Sequence, residues 1–563
     1  MKKLLLIICC LPLFWGCAKL DLNPLSEGSS ENWFSDETEL QLSLNDFYRE
    51  YLWAQENNYE TERMTDNWSQ RQAVNAYAAG TVTSEWAFSG DVWANTYKGI
   101  ARANTILNNL DKAAPNIGAE KLKQLAAEAY FFRAVLYGRL IFHYGDVPYY
   151  TNDLSIEDAF KLGRTSKETI LKEVYKDFDM AIASLPVTYG NGQKRATKGA
   201  ALAFKARTAL YMGDYIIARD AAQACMDLKT YTLHADYGQY FLSSTRNSSE
   251  TIFALPRSAA LGSTWATTNF FPRTAGGSAV AQPSWELFSS FPCTDGLPID
   301  ESPLYNPRKP FVNRDPRCAA TIVEFGTEFL GYIYDPNPYT TTVLKTGTST
   351  RVSNKDNRAV DQFASYNGLT LKKGVDADWA DDLKTDFDII IMRYADVLLM
   401  YAEAKMELKE IDQAALKAIN TVRARAYHAN VDAASSYPAI TTTDQTTLRR
   451  IIRNERRIEF GWENRRYDDL IRWKLADKAL TRPIYGMLDP ADLKTKVVDA
   501  GLWVFPGTPD IDINGLPDFS AMYGTRLIKL LVARNFDANK QYLWPIPSKE
   551  IIINNNLKQN PGY

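Results

Sequence analysis

Residues 197–228 read TKGAALAFKARTALYMGDYIIARDAAQACMDL, and the architecture turns on how this run is understood. Ala203, Ala206 and Leu210 recur at helical spacing, Gly213-Asp214-Tyr215 interrupts, and Ala218, Ala221 and Ala222 resume the period. Small residues on two facing stripes let antiparallel helices approach, Gly-Asp supplies the tight turn, and Tyr215 packs across it. A related pattern returns from Tyr394 to Tyr427: Ala402, Ala404 and Leu408, a turn at Glu410 to Asp412, then Ala414, Ala415 and Ala418. Helix pairs of about 34 residues cannot bury their faces alone and must stack. The expected fold is mainly α: a tetratricopeptide-type helical-pair superhelix, one right-handed layer assembled from separated parts of the chain.

Working outward, further helices are expected from Val92 to about Leu110 and from Lys121 to Tyr144, the latter ended by Gly145-Asp146-Val147-Pro148 in the usual order of glycine then proline. Ser166 opens another that runs to Leu185-Pro186. The helical-repeat elements thus fall at about 92–230 and 390–475. Between them, residues 245–390 lose the period and fill with Pro, Gly, Asn and Thr, with short β-like runs such as Thr251 to Leu255. So long an interruption reads as a loop-rich irregular subdomain packed against the helices; a second irregular insertion lies at about 483–540. Near the N-terminus, Glu37 to Leu52 carries a helical period. Residues 53–90 lose it and hold Trp53, Tyr59, Trp68, Tyr77, Trp86 and Phe88 among Asn, Thr, Ser and Gly.

The chain begins Met1-Lys2-Lys3, continues with an apolar run from Leu4 to Trp15, and reaches Gly16-Cys17. Two lysines, an apolar core too short for the roughly 20 residues of a spanning helix and a small residue before cysteine form a bacterial lipoprotein signal. Phe14 departs from it, standing where an aliphatic residue is commoner. Residues 1–16 are read as the signal peptide, Cys17 as the acylated N-terminus, 17–36 as a polar lipidated tether and 37–563 as the body. Two or more fatty chains hold a protein stably on a bilayer where one does not.

Composition narrows the function. The formal charge of −3 becomes −5 once Lys2 and Lys3 leave with the signal, and no basic arm exists, which argues against a nucleic-acid partner. Cys225, Cys293 and Cys318 remain in the body without metal-ligand spacing; Cys225 reads as a small buried hydrophobe, and Cys293 and Cys318 could bridge in an oxidising compartment. His143, His234 and His428 lie far apart, and neither a Gly-rich phosphate loop nor His-Glu-x-x-His occurs, so zinc and nucleophilic-triad chemistry lack their parts. No cofactor is expected. Scattered Asp and carbonyl groups could hold a structural calcium, though no oxygen-ligand loop has recognisable spacing. The 31 tyrosines and 13 tryptophans offer flat apolar faces with a hydrogen-bonding edge, the counterpart of a sugar's C–H face and hydroxyl rim; most such rings nevertheless fill helix interfaces.

The charges of the C-terminal helices need a separate reading. Glu128, Arg133, Arg393, Asp396, Glu403 and the run from Glu455 to Arg472 sit at helical spacing among apolar residues, the pattern of buried carboxylate–guanidinium pairs that fix register. Glu455 and Glu459 stand one turn apart like a catalytic dyad, but Arg453, Arg456 and Arg457 surround them, and guanidinium groups lower carboxyl pKa values, the wrong direction for a general acid.

Taken in chain order, several phrases resemble the SusD/RagB family, surface lipoproteins of glycan-uptake systems in Bacteroidota. They are Cys17 followed by Leu20-Asp21-Leu22; Trp93-x3-Tyr97-x2-Ile100-x3-Asn104; Glu128-Ala129-Tyr130-Phe131-Phe132-Arg133-Ala134; Asp295-Gly296-Leu297-Pro298-Ile299; Arg314-Asp315-Pro316-Arg317; and Arg393-Tyr394-Ala395-Asp396-Val397-Leu398-Leu399. Glu455-Arg456-Arg457-x-Glu459-Phe460, Arg466-x-Asp468-Asp469-Leu470, Leu543-Trp544-Pro545-Ile546-Pro547 and Gln559-Asn560-Pro561-Gly562-Tyr563 complete the series. The resemblance implies a non-catalytic protein, lipid-anchored at the cell surface in the outer membrane, that binds an oligosaccharide or other nutrient and delivers it to a SusC-like TonB-dependent transporter. A protein- or peptide-binding surface lipoprotein without a glycan site and, further off, a surface glycoside hydrolase are the alternatives.

No family motif fixes the ligand site, so candidates come from the residues. An aromatic in a polar, aperiodic loop is harder to explain as core than one on a helical stripe. Trp68, Tyr77 and Trp86 meet that test, with Asp66, Asn67 and Arg71 as hydrogen-bonding neighbours. Trp265, Asn269, Phe270 and Phe271, in a Gly/Ser/Thr-rich stretch, form a second candidate cluster. Trp93 belongs to a helix and is set aside.

Overall fold

The computed structural model describes residues 33–190 and 194–563; the signal, Cys17 and most of the tether lie outside the described residues. Helix α1 (Glu37–Asn45) starts where the Asp36 side chain accepts from the Glu39 amide. It does not run on to Leu52: two 3-10 turns, Asp46–Tyr48 and Glu50–Trp53, replace its second half. They turn Phe47, Leu52 and Trp53 all inward, which one helical face could not do, and the Trp53 indole donates to the Phe47 carbonyl at 2.8 Å.

Helices α2 (Ala87–Asn108) and α3 (Ala119–Tyr144) form the first antiparallel pair. Helix α2 begins ahead of Val92, taking in part of the stretch read as loop. Helix α3 ends at Gly145, whose φ of 73° suits glycine. Helix α4 (Lys167–Ser184) is capped by the Ser166 side chain. Then comes the pair read first, α5 (Lys198–Met212) and α6 (Tyr215–Asp227), with Gly213 left-handed at φ 83° between them. Helices α7 (Tyr394–Glu407) and α8 (Gln413–Ala426) repeat the arrangement, Asp412 capping α8. Helix α6 packs against both α5 and α7, so the two pairs join in one layer although the irregular subdomain separates them in the chain. Helices α9 (Gln445–Phe460) and α10 (Arg466–Arg472) complete the helical half.

The irregular subdomain is held by two-stranded antiparallel ribbons. Strand β1 (Trp68–Ser69) pairs with β4 (Gln282–Pro283), β2 (Thr251–Leu255) with β6 (Ile389–Arg393), and β3 (Trp265–Ala266) with β5 (Lys384–Thr385). Leu255 faces Ile389 in register, so the segment leaves and returns at adjacent points beside α7. An apolar core fills the helical layer, and a second, aromatic-rich core under the loops gathers Trp68, Phe270, Phe271, Trp285, Phe288 and Trp462. Cys225, Cys293 and Cys318 are buried free thiols; burial pushes the Cys225 thiol up to about 12. No helix among the described residues is long and apolar enough to cross a membrane.

Between the two cores runs a web of buried ion pairs. Glu459 on α9 accepts from Arg393 at 2.7 Å, from Arg317 at 2.9 Å and from Arg425. Arg393 also reaches Glu250 at 2.8 Å and Glu463 at 2.7 Å, and Arg317 reaches Asp315 and Glu455, both at 2.8 Å. One carboxylate thereby ties the irregular subdomain, α7, α8 and α9 together. Burial alone would raise the Glu459 carboxyl, but Arg425, Arg393 and Arg317 outweigh it and hold it well below the usual carboxylate range. A second knot joins Arg456 to Asp396 and Asp469, and Arg472 to Glu403 and Asp469. Removing one partner of a buried pair leaves an uncompensated charge and costs about 3–5 kcal/mol. Glu459→Gln is therefore expected to lower unfolding free energy by about 3 kcal/mol in urea titration at pH 7. Because the folded-state pKa of Glu459 lies below its unfolded value, its contribution is complete above the ordinary glutamate value of 4.5 and fades as pH falls. The gap between wild type and Glu459→Gln should accordingly shrink below pH 4.5.

Candidate ligand-binding cleft

A cleft of about 120 Å³ opens where the 56–59 turn, the 461–464 turn and the β3–β5 ribbon meet; Tyr59, Trp265, Trp379, Phe387 and Trp462 line it. It is well above the roughly 10–15 Å³ that a single water requires. Its walls interlock: Tyr59 lies 5.6 Å from Trp265 and 5.4 Å from Trp462 between ring centres, and Trp265 lies 5.1 Å from Phe270.

The backbone here is held in conformations that side chains seldom adopt. Asn58 and Tyr59 are left-handed at φ 50° and 60°, and Trp462 and Asn464 at φ 64° and 58°. Asparagine tolerates this region, but Tyr59 and Trp462 each cost of order 1–3 kcal/mol there and persist only where their surroundings over-determine them. Those surroundings are visible. The buried Glu62 carboxylate accepts from the Trp462 and Asn464 amides, each at 3.0 Å, and from Asn67 Nδ2 at 2.9 Å. Its pKa is raised, since burial outweighs these hydrogen bonds. Arg257 clamps the other turn, donating to Glu50 at 2.7 Å, Asn57 at 2.8 Å and Asn58 at 3.1 Å, while its guanidinium sits 5.8 Å from the Trp265 ring centre. Glu463 is held by Arg393 and Lys373. The Trp462 indole N–H, on a residue only 3 % exposed, has no hydrogen-bond partner among the described residues. The cleft therefore presents aromatic walls, with the Trp462 indole N–H buried behind its surface.

The expected site residues divide in the structure. Trp68 stacks behind Trp462 at 4.7 Å and 23° and meets Phe270 edge-on at 6.3 Å. Trp68 from the first cluster and Trp265 and Phe270 from the second thus share one aromatic group. Trp265 faces the cleft half-buried, whereas Trp68 and Phe270 back it. Arg71 and Asn269 meet at the surface through Ser278: Arg71 donates to its carbonyl at 2.9 Å, and its hydroxyl donates to Asn269 at 3.1 Å.

The others point inward, and the expectation that their loops display them to solvent is corrected. Asp66 is buried against Arg466 at 2.8 Å and Arg457 at 2.9 Å, and these guanidiniums more than offset burial and pull its carboxyl below the usual range. Asn67 bridges Glu62 and Arg457. Phe271 is completely buried. Tyr77 donates to the Gln541 carbonyl at 2.7 Å and packs edge-on to Tyr467. Trp86 packs on Tyr77, Phe88 and Trp544. Tyr77 and Trp86 line the seam with the C-terminal segment, because an aromatic in an aperiodic stretch can fill a loop-on-loop core as well as a ligand site.

Arg257, Trp379, Phe387 and Trp462 were not among the expected residues. Asn57-Asn58 before Tyr59, and Asn464 just after Trp462, carry the one available signal, since asparagine tolerates the left-handed region. Among the described residues, no group of three or more His, Cys, Asp or Glu side chains is placed to hold a metal ion.

Comparison with known proteins follows this geometry. Residues 249–563 match the model of the SusD family, and residues 20–210 match a model described as starch-binding, associating with outer membrane. The chain is similar to SusD-like protein P2 of Formosa agariphila, 26% identical with 97% of both chains covered. It is also similar to the crystal structure of a SusD-like carbohydrate-binding protein from Bacteroides fragilis: 28% identity, TM-score 0.75, 93% of this chain and 99% of that one. A surface glycan-binding protein A from Bacteroides fluxus, 21% identical with TM-score 0.62 over 94% of this chain and 100% of the other, shares the fold. Helical-pair layer, irregular subdomain and matched residues together establish that this chain belongs to the SusD family.

Proposed function

We propose that the protein is a non-catalytic surface lipoprotein that captures an oligosaccharide in the Tyr59–Trp265–Trp462 cleft and passes it to a SusC-like TonB-dependent transporter. One observation carries the reading: an aromatic-walled cleft, with Arg257 and Asn58 among its polar lining, on strained, over-determined backbone. Strained backbone clusters where function requires it; flat rings fit the C–H face of a sugar, and polar lining groups such as Asn58 and Arg257 select its hydroxyl orientation. The name of the Bacteroides fragilis relative, a carbohydrate-binding protein, supports the ligand class. The lipid signal ending at Cys17 and the outer-membrane wording of the matched family description support an anchored position at that membrane.

The cleft's charges speak against hydrolysis. A glycosidase needs one carboxylic acid with a raised pKa facing a second carboxylate. Glu463 instead is pulled down by Arg393 and Lys373, which outweigh its burial, Asp388 is engaged by Lys194 and Glu56 pairs with Arg139 at 3.1 Å. The protein accordingly binds without chemistry, and incubation with its polysaccharide should release no reducing sugar.

A glycan array followed by calorimetry on the best hit tests the reading. Trp265→Ala and Tyr59→Ala should each weaken binding at least about tenfold, the loss of one stacking face. Trp86→Ala should bind as wild type, because its ring contacts lie in the C-terminal seam. Absence of any glycan hit, with a transporter still co-purifying, would favour a surface scaffold whose ligand is protein.

A further inference from the structure

Behind the cleft, α3, α5 and the turn before α10 enclose a second cavity, of about 50 Å³, lined by Gln55, Glu56, His143, Arg207, Tyr211 and Asp468 among others. Glu56 and Asn464 line both spaces. Five polar atoms on the wall residues have no hydrogen-bond partner among the described residues: Gln55 Nε2, His143 Nδ1, Arg207 Nη1, Tyr211 Oη and Glu56 Oε2, the last within ion-pair range of Arg139 at 3.1 Å. Gln55, His143 and Arg207 are more than nine-tenths buried. Buried polar groups are almost always hydrogen-bonded, so five in one small cavity call for an occupant. Four of them can donate, and two of those can only donate. Burial, together with Arg139, holds His143 down at about 3, so its imidazole is neutral and can present N–H at Nδ1.

The charges point the same way. Three guanidiniums, Arg139, Arg207 and Arg465, border the cavity. Arg139 pairs with Glu56 at 3.1 Å and Arg207 with Asp396 at 2.7 Å, but Asp396 is shared with Arg456. Arg465 meets Asp468 only at 3.9 Å. We propose that this cavity is a binding site for a small inorganic anion of about the size of chloride, held by Arg207 Nη1, the Gln55 amide, the Tyr211 hydroxyl and the His143 Nδ1–H. A cation would meet four groups that can offer protons, against one carboxylate oxygen, Glu56 Oε2, that already faces Arg139 at 3.1 Å. Space for three or four waters admits a monatomic ion with its remaining water but excludes a sugar. Asp468 fits this setting, since burial raises its carboxyl to about 7 and makes its charge the weakest opponent of an anion there.

Crystals of the mature protein soaked in sodium bromide test the site directly. An anomalous peak within hydrogen-bond distance of Arg207 and Gln55 is expected; density that carries no anomalous signal, water only, would overturn the proposal. In solution, Tm should rise by about 1 °C for each tenfold increase in chloride or bromide at ionic strength held constant with gluconate. Gln55→Leu and Tyr211→Phe each remove one donor while leaving the ion pairs intact; in both, with circular dichroism unchanged, the halide-dependent rise should be halved or lost. A rise equal in wild type and both variants would also overturn the site.

Discussion

Everything in this molecule depends on the fact that a buried guanidinium has more hydrogen-bond donors than one carboxylate can satisfy. Arg393 serves Glu250, Glu459 and Glu463 at once, and Arg317 serves Asp315, Glu455 and Glu459. Each surplus donor recruits another segment, so the pairs grow into a web with members from the helical layer and from the irregular subdomain. Such pairs gain little over a well-packed apolar core, but they penalise every misalignment heavily. They set the register of α7, α8 and α9 against a subdomain with no sizeable sheet of its own.

The cleft inherits its geometry from that web. Glu463, held by Arg393 and Lys373, follows Trp462; Glu62 fixes the Trp462 and Asn464 amides from the opposite side. Trp462 is therefore pinned in the left-handed region from both flanks, with Trp68 stacked behind it. A ring so placed has little freedom left to lose, and the cleft wall it supports is preorganised.

The helical half was legible because its signals are local. Gly213 between two alanine-rich stripes, Ser166 and Asp412 as caps, and Gly145 before Pro148 each act within one or two turns. The charge pattern from Glu455 to Arg472 read correctly as structural for the same reason: its spacing placed the charges among apolar neighbours. The cleft was legible only in part. Trp265 stood out in a polar stretch, yet Trp68 and Tyr77, equally prominent, turned inward. Their fate is decided by residues hundreds of positions away: Trp462 covers Trp68, and Tyr467 and Gln541 claim Tyr77. The Glu37–Leu52 stretch shows a milder case, where the need to bury Phe47, Leu52 and Trp53 together replaced helix with tighter turns. Loop-on-loop packing leaves no period in the chain, and asparagines at the left-handed positions are its only local trace.

The pairing of Leu255 with Ile389 has an evolutionary consequence. The chain departs into its irregular excursion and comes back at neighbouring positions of one ribbon, so the closure cost changes only slowly with the length of what lies between. Residues 256–388 form a cassette with fixed ends, and it supplies Trp265, Trp379 and Phe387 to one wall of the cleft while Tyr59 and Trp462 stay on the permanent frame. The stretch is not free throughout: Asp315 and Arg317 belong to the ion-pair web, and Arg257 and Lys373 hold the turns of Tyr59 and Trp462. Length can therefore change between these fixed points, where no helix is anchored, while the points themselves must keep their places.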